Sequence, residues 1–243
     1  MTGQMDHNGK VYALLLSGGT GTRTGLDIPK QYVEVGGRPI ISYSMERLFS
    51  HSGISAIQIV ADPAWHGKIY EWITAEGLEG KFKGFSNPGR NRQLSIFNGL
   101  RDIREYAEDS DLVFIHDAAR PLLTEEQIGA CIEGMDGYDG VLPVLPMKDT
   151  VYSSTDGKRI TALLNRAEIY AGQAPEVFRL GVYYEANRRL LPEKILHING
   201  STEPAVMAGL RVAMIPGDEG NFKVTTIEDL ERFRKMIQEE RRE

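Results

Sequence analysis

The chain has one cysteine, no apolar run of membrane length and fewer cations than carboxylates. A lone Cys131, set in an apolar helical pattern, excludes both a disulfide framework and a cysteine-cluster metal site, and makes the cytoplasm the simplest compartment. No stretch approaches the ~18 consecutive apolar residues that a membrane span needs. Against 34 Asp and Glu stand 28 Lys and Arg, a net charge of -6. Binding a nucleic-acid duplex calls for several cations collected on one face, so that partner class is excluded, and any anionic ligand must be met by cations placed locally. Residues 1–10 are polar and lack the apolar centre of a targeting peptide, so a frayed start is expected. Repeats, low-complexity tracts and long linkers are missing too. A length of 243 residues therefore suits one α/β domain with a small appendage.

What is present begins with VYALLLSGGTGTRTGLDIPK, residues 11–30. Residues 11–16 form a short apolar run, expected as a buried parallel strand, ended by Ser17, Gly18, Gly19 and Gly21. Glycines in that position let backbone N–H groups approach phosphate oxygens without a Cβ in the way. Arg23 and Lys30 add a planar fork and a compact point charge at the same mouth. A dinucleotide fingerprint fails, because Thr24 replaces its third glycine; a P-loop fails, because no lysine follows Gly21. The remaining pattern, G-G-x-G-x-R followed by P-K, resembles sugar-nucleotide pyrophosphorylases and related nucleotidyltransferases.

Further apolar runs at 56–61, 112–115, 140–145 and 211–215 alternate with helical patterns at 39–49, 92–104, 125–135, 181–190 and 227–239. This alternation implies a Rossmann-like α/β fold, a mostly parallel sheet covered by helices on both faces. Thr124 with Gln127, and Thr226 with Asp229, mark two helix starts. Between 150 and 170 the rhythm breaks. There, TVYSS, a turn at Thr155-Asp156-Gly157 and RITAL predict a hairpin, with 148–170 a protruding β-arm of the single domain.

Four segments join the opening loop. HDAARP (116–121) follows a strand and so falls at the carboxyl edge of the sheet, where open α/β sheets bind ligands. Asp117 is suited there to Mg²⁺, which prefers oxygen ligands and keeps several waters; Arg120 is expected to organise the loop by ion pairing, and His116 to be packed rather than catalytic. PGRNRQLS (88–95) opens a helix whose start can meet a base or ribose. NFKVTT (221–226) places Lys223 before a capped helix, and Lys148-Asp149-Thr150 with Asn165-Arg166 brings polar groups to the arm, where Arg166 can clamp a phosphate bidentately.

In this order GGTGTR, PKQY, HDAARP, KDT, NR and FKVTT resemble, over nearly the whole chain, the cytidylyltransferases that make CDP-methylerythritol from 2-C-methyl-D-erythritol 4-phosphate, and their relatives that make CDP-ribitol from ribitol 5-phosphate. The resemblance implies a nucleotide-diphospho-sugar transferase type of fold, CTP as co-substrate with Mg²⁺ as cofactor, and a homodimer whose arms reach across to the partner's acceptor site. By motif it implies that Arg23, Lys30 and Lys223 act on the triphosphate. Ser17, Gly18, Gly19, Gly21, Gly89, Ser95 and Ala118 would surround the nucleotide. Asp117 would serve metal and acceptor, and Thr150 and Arg166 of the second subunit the acceptor phosphate. Two departures stand out. Arg90 occupies a place usually held by aspartate in methylerythritol-type relatives, and residues 199–205, NGSTEPA, replace a T-D-E/A stretch. The segment NRAEIYAGQAP (165–175) is more similar to the ribitol relatives, so the acceptor is expected to be ribitol 5-phosphate or methylerythritol phosphate. A phosphonate or sugar phosphate acceptor, and an inactive nucleotide-binding module, are the alternatives.

Overall fold

Successive residues of the first strand, β1 (Val11–Leu16), feed two different cores: Val11, Ala13 and Leu15 one, Tyr12 and Leu14 the other. Side chains of a strand alternate in direction, so a strand apolar at every position must be covered on both faces. The computed structural model describes residues 9–19 and 28–241. After β1 come a short antiparallel pair, β2 (Glu34–Val35) and β3 (Arg38–Pro39), then α1 (Ile40–Ser50), β4 (Ala56–Val60), α2 (Pro63–Ala75), β5 (Phe82–Ser86), α3 (Arg92–Ile103), β6 (Leu112–Asp117), α4 (Glu125–Glu133) and β7 (Gly140–Pro146). The rest of the chain forms a hairpin of β8 (Tyr152–Ser153) and β9 (Ala162–Leu163), then β10 (Tyr170–Gly172), β11 (Glu176–Arg179), α5 (Leu180–Arg188), α6 (Glu203–Met207), β12 (Val212–Pro216) and α7 (Ile227–Glu240).

Eight strands form one sheet in the order β10-β7-β11-β6-β1-β4-β5, with β12 also on β7. The pairs β6-β1, β1-β4, β4-β5 and β12-β7 are parallel, whereas β11 and β10 run antiparallel to their neighbours. One face is covered by α1, α2 and α4 through residues such as Met45, Ile69 and Ile128, the other by α3 and α5 through Ile96, Leu100 and Tyr183. Each such side chain, fully withdrawn from water, stabilises the fold by roughly 1.5–3 kcal/mol.

All five expected strands and all five expected helices form, with ends shifted by no more than about two residues, the usual spread of such boundaries. Both marked helix starts carry their caps: the Thr124 side chain accepts from Gln127 N, and Thr226 with Asp229 closes a full capping box. Pro204 falls in the first turn of α6, where a missing N–H costs nothing. The elements not expected are α2, β5, β10, β11, α6 and the β2-β3 pair. In β5 Gly84 adopts a φ of 146° beside a register shift, which breaks the apolar alternation. The arm hairpin forms as expected, with Asp156 Oδ1 accepting from Lys158 N and Arg159 N across the turn.

Leu16, at the end of β1, is level with Val60 of β4 and Asp117 of β6. Three parallel strands thus deliver their following loops to one edge.

Candidate functional site

The loop after β1 is shaped by the segment that follows it. Ser17 N donates to Val60 O at 2.8 Å, and the Ser17 hydroxyl donates to Tyr32 Oη at 2.9 Å. Gln31 Nε2 donates to both Ser17 O and Gly19 O, at 2.7 Å each, and Tyr32 stacks on Trp65 with centroids 4.0 Å apart. Gln31 and Tyr32 therefore hold the backbone of the glycine turn, while their neighbour Lys30 lines the cleft that opens beside it. Gly18 meets the second loop closely: a Cβ there would lie 2.6 Å from Pro88 Cβ, and one on Gly89 would lie 2.6 Å from Leu94 Cβ. Neither glycine tolerates a side chain. Across the cleft, Asn91 caps α3 by accepting from Leu94 N at 2.9 Å, and Ser95 Oγ bridges Gly89 N and Asn91 O, both at 2.9 Å.

The cleft has a volume of about 430 Å³ and is lined by Gly18, Gly19, Lys30, Gln31, Gly89, Arg90, Asn91, Arg92, Ser95, Asp117, Ala119 and Lys223, closed below by Leu16. Among the described residues four cations and one carboxylate face it, in a chain with a net charge of -6. That carboxylate is tightly held. Asp117 Oδ1 accepts from Arg92 Nε at 3.0 Å, Oδ2 accepts from Lys223 Nζ at 2.9 Å, and Arg120 Nε stands 3.7 Å from Oδ2. Burial alone would raise the Asp117 carboxyl, but the charges of Arg92, Lys223 and Arg120 outweigh it and hold the group well below the usual carboxylate range. Arg120 also donates to Asn221 O at 2.7 Å, and the Asn221 amide donates to Gln127 Oε1 and Ala174 O, so the loop carrying Lys223 is stapled to the sheet edge.

On the far side of Arg92, Asp117 and Lys223 lies a second cavity of about 380 Å³, which these three residues also line. Its remaining wall comes from Arg120, Leu142, Gly172, Ala174, Glu176, Asn199, Gly200, Ser201 and Thr202. The departing segment 199–202 is thus part of the site. Two ligands, one in each cavity, would meet at the Asp117 cluster.

The site residues expected from sequence divide into four groups. Gly18, Gly19, Lys30, Gly89, Ser95, Asp117 and Lys223 are brought together around the cleft. Ser17 is buried and serves as scaffold through Tyr32, and Ala118 lies in the core with its N–H donated to Leu16 O; Ala119 takes the wall position expected of Ala118, because alternation beyond β6 turns Ala118 inward. Gly21 and Arg23 lie outside the described residues. Thr150 and Arg166 are exposed on the arm and line neither cavity; Arg166 Nη1 donates to Lys148 O at 2.6 Å. His116 is packed as expected, with Nε2 3.0 Å from Arg120 O and its imidazole pushed down to about 4 by burial. Arg92, Gln31, Glu176 and Ser201 were not singled out. Gln31, Arg92 and Ser201 lie in segments noted in the sequence, PKQY, 88–95 and 199–205, and Glu176 directly follows another, 165–175. Among the described residues no group of three or more His, Cys, Asp or Glu could cage a metal. With Asp117 the one carboxylate among the described residues of the cleft, Mg²⁺ there would be held chiefly by oxygens of a bound phosphate ligand and by water, rather than by a protein cage. Nor is any described helix long and apolar enough to cross a membrane.

A mixed, largely parallel sheet with a glycine turn and, among the described residues, four cations at its carboxyl edge has the architecture of the α/β nucleotidyltransferase fold. A family model described as 2-C-methyl-D-erythritol 4-phosphate cytidylyltransferase matches residues 11–239, and the chain belongs to that family. It is 35% identical over 224 residues to the 2-C-methyl-D-erythritol 4-phosphate cytidylyltransferase of Rubrobacter xylanophilus, covering 90% of each chain. It is 32% identical over 241 residues to the ribitol-5-phosphate cytidylyltransferase of Streptococcus pneumoniae serotype 2, covering 95% of this chain and all of that one. The chain spans about half the length of the bifunctional IspD/IspF enzymes that it also matches. The crystal structure of the 4-diphosphocytidyl-2C-methyl-D-erythritol synthase of Anaerococcus prevotii shares the fold with a TM-score of 0.80 at 24% identity, over 95% of this chain and 96% of that one.

Proposed function

We infer that the protein transfers CMP from CTP to a polyol phosphate, ribitol 5-phosphate or 2-C-methyl-D-erythritol 4-phosphate, and releases pyrophosphate. The observation that carries this reading is the common wall of Arg92, Asp117 and Lys223 between two cavities. CTP takes the cleft beside the glycine turn, and the acceptor takes the cavity beside Glu176. An acceptor phosphate oxygen attacks the α-phosphorus in line, the bond from that phosphorus to the β-phosphate bridging oxygen breaks, and pyrophosphate departs with the electron pair. The nucleophile is already anionic, so no general base is required. A neutral, buried His116 in neither cavity is consistent with that.

The work left to the chain is to align the two phosphates and to neutralise charge as it develops. Lys30, Arg92 and Lys223 supply fixed cations, and Arg23 is assigned with them by motif. Asp117 keeps Arg92 and Lys223 fixed between the cavities. Mg²⁺, when bound, would add charge neutralisation on the triphosphate, with Asp117 the one carboxylate among the described residues of the cleft that could reach it. The exposed arm, carrying Tyr152, Ile160, Leu163 and Tyr170, is assigned to a homodimer in which Thr150 and Arg166 serve the partner's acceptor site. One buried cysteine suits a reducing, cytoplasmic setting.

A matrix of four nucleoside triphosphates against both polyol phosphates and a phosphonate, read as pyrophosphate, tests the assignment. Release is expected with CTP and at least one polyol phosphate; silence with CTP across every acceptor would overturn it.

A further inference from the structure

Among the described residues, two side chains that line the second cavity carry a buried polar atom without a hydrogen bond, Arg120 Nε and Glu176 Oε2, and only the second is an acceptor. Glu176, on β11, is only 6% exposed and lines that cavity. Its Oε1 accepts from the Ser201 hydroxyl, whereas Oε2 has no hydrogen-bond partner among the described residues; Arg92 Nη2 is 3.6 Å from it, an ion pair too long for a hydrogen bond. A buried carboxylate oxygen with no donor is costly, and native structures seldom retain one unless something else supplies the donor. The surroundings fix Glu176 in place. Tyr183 Oη donates to Ser201 O at 2.6 Å, Gln93 Nε2 donates to Tyr183 Oη at 3.1 Å, and the Tyr183 ring stacks on Phe178 with centroids 4.0 Å apart. The acceptor oxygen is thus held on a rigid support while the cavity beside it stays open.

We propose that Glu176 and Ser201 are specificity-determining residues that read the polyol end of the acceptor, with Glu176 Oε2 accepting a hydrogen bond from an acceptor hydroxyl. The cavity offers both kinds of group that a polyol phosphate calls for: the cations Arg92, Arg120 and Lys223, and the hydrogen-bonding side chains Glu176, Ser201 and Thr202. A ligand bearing a phosphate but no hydroxyl leaves Oε2 without a donor and loses the discrimination that a site built around a hydrogen bond provides. The proposal rests on the transfer reading only for the identity of the ligand.

Calorimetric titration of ribitol 5-phosphate, methylerythritol 4-phosphate and ethyl phosphate into the protein saturated with α,β-methylene CTP tests it, in wild type, Glu176→Gln, Ser201→Ala and the double variant. A glutamine has one acceptor oxygen for two donors, Ser201 and the ligand hydroxyl. Glu176→Gln is therefore expected to weaken a polyol phosphate about 10- to 100-fold, the usual worth of a hydrogen bond to a charged group, while leaving ethyl phosphate and the CTP analogue unchanged. Removing Ser201 in the same chain frees that oxygen, so the double variant should bind the polyol phosphate more tightly than the product of the single losses. Equal weakening of ethyl phosphate, or none for either polyol phosphate, would overturn the assignment, as would failure of every polyol phosphate to bind wild type. Tight, Glu176-dependent binding without turnover from CTP would instead leave the assignment standing and sink the transfer reading.

Discussion

Lys223 and Asp117 are 106 residues apart in sequence, yet Lys223 Nζ donates to Asp117 Oδ2 at 2.9 Å, joining the loop before α7 to the end of β6. On its other oxygen Asp117 holds Arg92, the first residue of α3. Three loops therefore meet on one carboxylate. Asp117→Asn keeps the shape but leaves Arg92, Lys223 and Arg120 without their common anion. Breaking a buried pair by removing one partner costs about 3–5 kcal/mol, and water at the 32% exposed Arg92 and Lys223 side chains reduces this to roughly 1–3 kcal/mol. Urea denaturation should report that loss, and an unchanged midpoint would contradict it.

Lys223→Ala and Lys30→Ala act differently, because Asp117 retains Arg92 when Lys223 is removed. Both variants are expected to fold and to lose about 10²–10³ in kcat, the usual cost of one preorganised electrostatic contact in a transition state. Steady-state pyrophosphate release at saturating CTP checks this. Near-normal kcat in either variant would remove that lysine from the mechanism.

Stability should depend on pH through His116. Folded, its imidazole stays neutral down to about pH 4, whereas the unfolded one takes up a proton near 6.5. The unfolded state thus gains protons as pH falls below 6.5, so stability complete above that value is lost progressively toward pH 4. Between pH 7.5 and 5 the loss attributable to His116 is about 2 kcal/mol. Asp117 adds nothing in this window, since its depressed carboxyl stays ionised throughout. Denaturation midpoints at the two pH values, compared with those of His116→Gln, should show a shallower dependence in the variant; equal slopes would contradict the assignment.

Among the described residues Arg166 bonds within its own arm, to Lys148 O, and lines neither cavity. If it acts on a partner's acceptor, mixing inactive Lys30→Ala and Arg166→Ala chains should restore part of the activity through hybrid sites. No recovery after confirmed subunit exchange would place the whole site within one chain.

The fold was legible where the physics is local or repetitive. β1 and β6 are apolar at consecutive positions because both faces are covered, and α7 carries its capping box in the sequence itself. Short strands were not legible. β11 is the four residues EVFR after Pro175, too brief to display a period, and its Glu176 gains meaning only from Ser201, 25 residues onward. Within the site, Lys30, Asp117 and Lys223 followed from motif position, but Arg92 did not, since its role depends on Asp117, which only the sheet topology brings near. Gln31 went unnoticed for a similar reason: its task is to hold two carbonyls of the glycine loop.

The central claim is that an acceptor phosphate in one cavity attacks the α-phosphorus of CTP in the other across the Asp117 wall. It is tested most directly by supplying a polyol phosphate labelled with oxygen-18 in its phosphate group and locating the label by mass spectrometry of the products. The account predicts that all of it resides in the CDP-polyol and none in the pyrophosphate. Label recovered in pyrophosphate, or formation of the polyol product without pyrophosphate, would contradict it.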